Sequence, residues 1–298
     1  MPPDVSGKKL FWAIVFNSMI TIAEFIGGIL SGYLALLADA VHNLSDVASL
    51  GLAWIGARGS QKPATKRSTF GFQRLEVLTA LVSAVALVVI AVFILNEAYH
   101  RLINPQPISK PVIFLTVAVI GLIGNLVSIW ILHSEKGSSL NMKTAFLHMF
   151  YDALSSVVVI AGGIVILTTG WFVIDVILSA VIALMIFRSS WLVIKEAVMI
   201  IMEAVPQGIE FDDVCAALND VDDVTGVHDL HIWSLSSNEI ALSCHVCIDE
   251  NNLSRGRQII ERINSVLKDR FNIGHATIQL ETEQCERDAA LCRHRKEI

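Results

Sequence analysis

Leu36–Asp46 reads LLADAVHNLSD, and its reading decides the fold. The segment lies in an apolar run long enough to cross a bilayer, yet it carries Asp39, His42 and Asp46. An ionisable side chain at membrane depth costs roughly 2.5 kcal/mol or more, so such a position is functional by default. His42 and Asp46 are four residues apart, which on an α-helix sets them on one face, about 6 Å apart along the axis. The same spacing returns in a later apolar run as His148-Met-Phe-Tyr-Asp152. Two helices that each offer one imidazole and one carboxylate supply four ligands. That is a set Zn²⁺ accepts tetrahedrally at about 2.0–2.2 Å. Asp39 stands one turn before His42 on roughly the same face. It could orient His42 from behind as an acceptor, carry a proton or pack between helices, and the orienting or packing role fits better than direct ligation.

The whole chain supports a membrane setting. Of its 298 residues, 54% are hydrophobic and only 17% charged, where a soluble protein carries about 25%. From Pro206 onward 17 acidic residues face 9 basic ones, whereas the first 205 residues hold 11 acidic and 13 basic. A slightly basic membrane domain (residues 1–205) therefore precedes an acidic soluble one (206–283) and a short tail (284–298). The acidic balance excludes a nucleic-acid partner. All five cysteines, at 215, 244, 247, 285 and 292, lie after the membrane domain. Their odd number and irregular spacing read as reduced thiols rather than a disulfide framework.

Six apolar stretches are each long enough to span, at about 20 residues: Leu10–Leu30, Tyr33–Ala57, Leu75–Tyr99, Pro111–His133, Thr144–Thr168 and Val173–Val193. Basic residues gather before the first span, between the second and third, between the fourth and fifth, and after the sixth. The alternate loops hold only Arg101 and Lys110. That asymmetry puts both termini in the cytoplasm. Short connections make a compact all-α bundle of six helices. Other polar residues lie in or beside the spans. Asn17, Asn96 and Asn125 read as interhelical hydrogen-bonding groups, worth about 0.6 kcal/mol each. Glu24 reads equally as such a group or as part of a proton or water path, and Asp175 as the cap of the sixth helix.

After Pro206 the texture changes. Ile209–Asn219 and Leu253–Phe271 read as helices, and Gly226–Leu235, Glu239–Ile248 and His275–Glu281 as strands. The order α-β-β-α-β predicts a small ferredoxin-like α+β domain whose sheet keeps one open face, suited to dimerisation. On a strand, residues two apart share a face, so Ser243, His245 and Cys247 face together. Cys244 and Cys247, three apart, face oppositely, which excludes a zinc knuckle despite the C-x-x-C spelling. By the same count His231 faces away from His228 and packs beside Trp233.

Leu37–Asp46, the loop Phe70-Gly-Phe-Gln-Arg-Leu-Glu76, the pair His148-x₃-Asp152 and the motif Val227-His-Asp-Leu-His-Ile-Trp233 together resemble the cation diffusion facilitators, most nearly their bacterial zinc-exporter branch. The resemblance covers nearly the whole chain. It implies a homodimeric, proton-coupled exporter of divalent cations in a bacterial inner membrane, with His42, Asp46, His148 and Asp152 as the transport site. A histidine at position 42 is the pattern of many zinc-preferring members. It also implies a regulatory metal site in the cytoplasmic domain at His228, His245 and Glu281. Gln279 stands where some relatives carry His, and His275 could substitute there. Arg74 matches a basic position that pairs with an acid after the sixth span, for which Glu203 is the counterpart here. The family's second site between spans two and three is absent, because Gly59–Gln73 holds neither His nor Asp. Cys285 and Cys292, with His294, could form a soft-ligand site or stand as solvated thiols.

The chemistry agrees with that reading. Histidine must lose its proton to bind metal, and an imidazole titrates near neutral pH, so Zn²⁺ can exchange for H⁺. Cd²⁺ fits the same ligands, and Co²⁺ and Ni²⁺ are compatible with them. Two other classes fit less well. An intramembrane metal-dependent hydrolase needs an open coordination position and a general base, but four ligands fill the shell. A metal sensor without transport would leave the buried quartet without purpose.

Overall fold

The structure, a computed structural model, describes residues 5–44, 64–105, 109–133, 140–236 and 239–282. Asp46, Cys285, Cys292 and His294 lie outside them. The chain divides into two compact units, Met1–Leu52 with Val82–Val193, and Ala53–Leu81 with Ile194–Ile298.

Among the described residues, the helices that precede the acidic region are α1 (Val5–Ser31), α2 (Leu34–Leu44), α3 (Arg74–Ile103), α4 (Pro111–His133), α5 (Leu140–Thr169) and α6 (Val173–Ile201). Four of these contain described stretches long and apolar enough to cross a membrane: Arg74–Ile103, Pro111–Trp130, Phe150–Thr169 and Val173–Ile201. Their surfaces carry exposed Leu, Ile, Val and Phe, such as Val82, Phe93, Val112 and Leu184, which suits lipid rather than water. In the first unit α4 packs against α1 and α5. Small residues let these backbones close up, as membrane helices require. A Cβ at Gly163 of α5 would come within 2.0 Å of the Phe114 ring on α4. Phe114 in turn meets Tyr33 edge-on, with ring centroids 4.5 Å apart. The Tyr33 hydroxyl donates to the Val159 carbonyl at 2.9 Å.

Asp175 corrects one expectation. It stands in the first turn of α6, but its carboxylate accepts the Leu34 and Ala35 amides at 3.3 and 2.8 Å. It therefore caps α2, not α6. The start of α2 is fully buried, so its orphan N–H groups need an acceptor from elsewhere in the fold. Arg101 of α3 donates to the same carboxylate at 3.1 Å, and also to the Gly32 carbonyl and to Glu97. Gly32 takes a positive φ of 71° to turn the chain between α1 and α2. This polar knot fixes where α2 begins and hence the register of His42.

In the second unit, α7 (Phe211–Asn219), β1 (Val224–Ser234), β2 (Ile240–Ile248), a 3₁₀ segment (Glu250–Arg255), α8 (Gly256–Phe271) and β3 (His275–Glu281) follow one another. The sheet order is β1-β2-β3, with β1 and β2 antiparallel and β2 and β3 parallel. The parallel pair is joined through α8, as a crossover requires. Ile259, Ile263 and Leu267 recur every four residues on α8 and are fully buried with Leu242, Cys244 and Val246 of β2. Val214 and Leu218 of α7 complete this core. The other sheet face bears Ser243, His245, Cys247, Thr277, Gln279 and Glu281.

β1 departs from a plain strand. Its register slips between His228 and His231, where Asp229 has φ 49°. This bulge adds a residue on one side of the ladder. His228 then pairs with His245 and His231 with Ser243, so both histidines lie on the open face. The expectation that His231 faces away from His228 fails for this reason.

Candidate metal centres

Among the helices, His42 is half-buried on α2, and Asp152 is buried on α5. Asp39, one turn before His42, is also buried. The Ser155 hydroxyl of α5 donates to Asp39 Oδ1 at 2.5 Å, and Ser155 lies three residues past Asp152. One polar contact thus joins the helix of His42 to the helix of Asp152. His148 stands one turn before Asp152 on α5. A second contact bears on the same turn. The Asn125 amide of α4 donates to Ser156 Oγ at 3.3 Å, and Ser156 Oγ donates to the Asp152 carbonyl at 3.0 Å. Beside His42, the Asn43 amide donates to Glu24 Oε2 at 3.3 Å. Sequence spacing assigned no role to Asn43, because a neighbour on the helix turns off the ligand face.

The second cluster lies on the open sheet face. Glu281 of β3 reaches two imidazoles, with Oε2 3.3 Å from His228 Nε2 and Oε1 2.9 Å from His245 Nδ1. The two rings meet edge-on with centroids 5.1 Å apart. Gln279 donates to Glu281 Oε1 at 2.7 Å. Asp229 stands between two histidines, 3.2 Å from His231 Nε2 and 3.7 Å from His245 Nε2. Imidazole and carboxylate therefore alternate along the face. A carboxylate behind a ligating imidazole fixes its tautomer, a role that suits Asp229 toward His245.

Cys247 lies beside this cluster. Its sulfur is 3.7 Å from His228 Nδ1, and ligand atoms of His228, Cys247 and Glu281 lie within 4.8 Å of one another. Cys247 is disulfide-bonded, whereas Cys215 and Cys244 are free thiols, so the reading of all five cysteines as reduced is corrected at position 247. His275 does not join the cluster. It pairs with Ala241 at the opposite end of β3 from Glu281, six residues or about 20 Å along the strand, and its ring rests against Phe70. Burial, and then the neighbouring Cys215, push the Cys244 thiol up to about 12. It keeps its proton and offers no metal ligand. Asp229 and Cys247 were missed by sequence reasoning. For Cys247 the signal was present, since it shares a face with His245. For Asp229 it was not, because the bulge turns it.

Elsewhere in the second unit, Arg74 Nη2 donates to Glu203 Oε1 at 2.7 Å. Glu203 takes a φ of 58° just past α6.

Apolar helices that bury carboxylates beside a half-buried imidazole, ahead of a small domain with an imidazole–carboxylate face, are those of a metal-handling membrane protein. The comparisons agree. The model of the cation efflux transmembrane domain matches residues 10–202, and that of the cation efflux protein cytoplasmic domain matches residues 206–283. The metal cation efflux system protein CzcD of Cupriavidus metallidurans is 37% identical over 97% of this chain and 91% of its own length. A cadmium, cobalt and zinc/H(+)-K(+) antiporter of Bacillus subtilis is 37% identical over 97% and 94%, and zinc transporter ZitB of Escherichia coli is 35% identical over 96% and 90%. The chain belongs to the cation diffusion facilitators, the cation efflux family. It is an integral membrane transporter, not an enzyme.

Proposed function

We propose that the protein exports Zn²⁺, and Cd²⁺ by the same ligands, from the cytoplasm in exchange for protons. His42 and Asp46, four apart in the sequence, and His148 and Asp152, four apart on α5, hold the cation. The observation that carries this reading is the Ser155–Asp39 contact. It ties α2 to α5 beside buried Asp152, where carboxylates have no purpose in a dry bundle. Relatives named for zinc, cadmium and cobalt transport support the substrate class. Binding strips the imidazole protons, so a site that returns empty returns protonated, and the proton gradient drives the cycle.

In the same reading the protein is a homodimer with six spans, sits in a bacterial inner membrane and has both termini in the cytoplasm. The domain after Pro206 is ferredoxin-like. His228, His245 and Glu281 hold a regulatory cation; disulfide-bonded Cys247 stands beside them without a free thiolate to offer, and His275 stands apart. The Arg74–Glu203 pair links the start of α3 to the segment after α6.

Zn²⁺ uptake into sealed inside-out vesicles under an imposed pH gradient tests this. Intact protein is expected to give gradient-dependent flux, and Asp152→Ala to abolish it. Zn²⁺ binding without flux would replace the transporter site by a sensor, and flux undiminished in Asp152→Ala would remove the quartet.

A further inference from the structure

Glu24 is not used by the metal quartet. It lies on α1 and is 1% exposed. Among the described residues, Oε2 receives a 3.3 Å hydrogen bond from Asn43 and Oε1 has no hydrogen-bond partner. The carboxyl fills the space over Gly121 of α4, where an added Cβ would lie 1.7 Å from Oε1. A side chain at 121 would expel it. A group held this closely with so few donors gains little from its charge. An ionised carboxylate in apolar surroundings needs several donors or a cation, and a glutamine would serve a purely structural role better.

The surroundings carry the same character. Asp39 Oδ2, Asn43 Oδ1, Asn125 Oδ1 and Ser128 Oγ are also buried without a hydrogen-bond partner among the described residues. Unsatisfied buried polar atoms are few in a native core and each calls for a reason. Five from α1, α2 and α4 in one unit form a polar interior rather than scattered defects. The ionisable groups that act on Glu24 are Asp39 on α2 and Asp152 on α5. Between Pro111 and Trp130, α4 carries no ionisable side chain. Asn43 is the residue after His42, so Glu24 touches the metal-bearing helix through a neighbour of a ligand.

We propose that Glu24 carries one of the exchanged protons, separate from those displaced from the metal ligands. A dication entering the quartet favours the ionised carboxyl, and Glu24 releases its proton to water. When the cation leaves, Glu24 takes a proton back, so the acid–base pair is restored each cycle. This rests on the quartet reading and adds a proton site to it.

The test counts protons released on Zn²⁺ binding to purified full-length protein in weakly buffered solution. Every variant is made in a Glu281→Ala background to lessen the contribution of the cytoplasmic cluster. Glu24→Gln is expected to release about one proton fewer per bound Zn²⁺, and Glu24→Asp to restore it. An unchanged count in Glu24→Gln overturns the proposal. Should Glu24→Gln fail to fold, the Zn²⁺-induced infrared difference spectrum decides. A protonated-carboxyl band that vanishes on Zn²⁺ addition, and is shifted in Glu24→Asp, supports Glu24; no such loss overturns it. Asp152→Ala separates the two readings, because retained Zn²⁺ binding there removes the quartet whatever the Glu24 count shows.

Discussion

Asp39 bears on the proposed transport site through its neighbours. Its Oδ1 accepts from Ser155 at 2.5 Å, and it sits one turn from His42. A carboxylate that orients a metal-ligating histidine contributes about 10–100-fold in affinity. Asp39→Ala is therefore expected to weaken Zn²⁺ binding within that range while leaving the fold intact, and Ser155→Ala to give a smaller loss of the same sign. Isothermal titration on both variants checks this, and wild-type affinity in Asp39→Ala would reduce the residue to packing. Cys244 gives a second prediction at this scale. Burial raises its thiol from an ordinary 9.0 to about 12, so the folded state holds that proton more tightly than the unfolded one. The stabilisation is complete below about pH 9 and is lost as pH rises through about 12. The melting temperature of full-length Cys244→Ala is expected to start lower, from the lost packing, but to fall less steeply with alkaline pH. Equal slopes would contradict the buried thiol.

At the scale of the element, the start of α2 depends on a residue remote in sequence. Asp175 accepts two of its amides and the Arg101 guanidinium. Asp175→Ala removes a cap worth about 0.5–2 kcal/mol and strips a nearly buried arginine of one partner, a loss of several kcal/mol in an apolar setting. Asp175→Asn keeps an acceptor and is expected to cost less. Thermal unfolding in detergent orders the two, and equal stability of Asp175→Ala and wild type would exclude the cap. Elements also show what the sequence could carry. The His148-x₃-Asp152 spacing was legible because a charged pair at helical period stands out from an apolar run. The α-β-β-α-β order was legible because each segment keeps its own period. Asp175 escapes a reading that looks for a cap within its own helix, because an N-terminus buried by tertiary packing takes its acceptor from anywhere in the fold. His231 was placed on the wrong face because strand parity counts residues, and the bulge at Asp229 adds one without a glycine to announce it.

For the whole molecule, the point of interest is how metal on the sheet face could influence transport. Helix α3 begins in the second unit and continues through the first, and its first residue, Arg74, is paired with Glu203 just past α6. The side chains of this pair are 39% and 60% exposed, so its worth to stability is small, about 0–1 kcal/mol. Its value would lie in registering two helix ends. Arg74→Glu is accordingly expected to leave the melting temperature near that of the wild type and Zn²⁺ binding at the quartet intact, while lowering vesicle flux several-fold. The swap Arg74→Glu with Glu203→Arg is expected to recover most of that flux, because it rebuilds the pair with its polarity reversed. Dependence on the cytoplasmic cluster follows from the same arrangement. Glu281→Ala should raise the Zn²⁺ concentration needed for half-maximal flux in the wild-type background. In Arg74→Glu it should change little, since the connection is already cut. Additive effects of the two substitutions would mean that the cluster and the charge pair act independently, and regulation would then have to pass through other contacts.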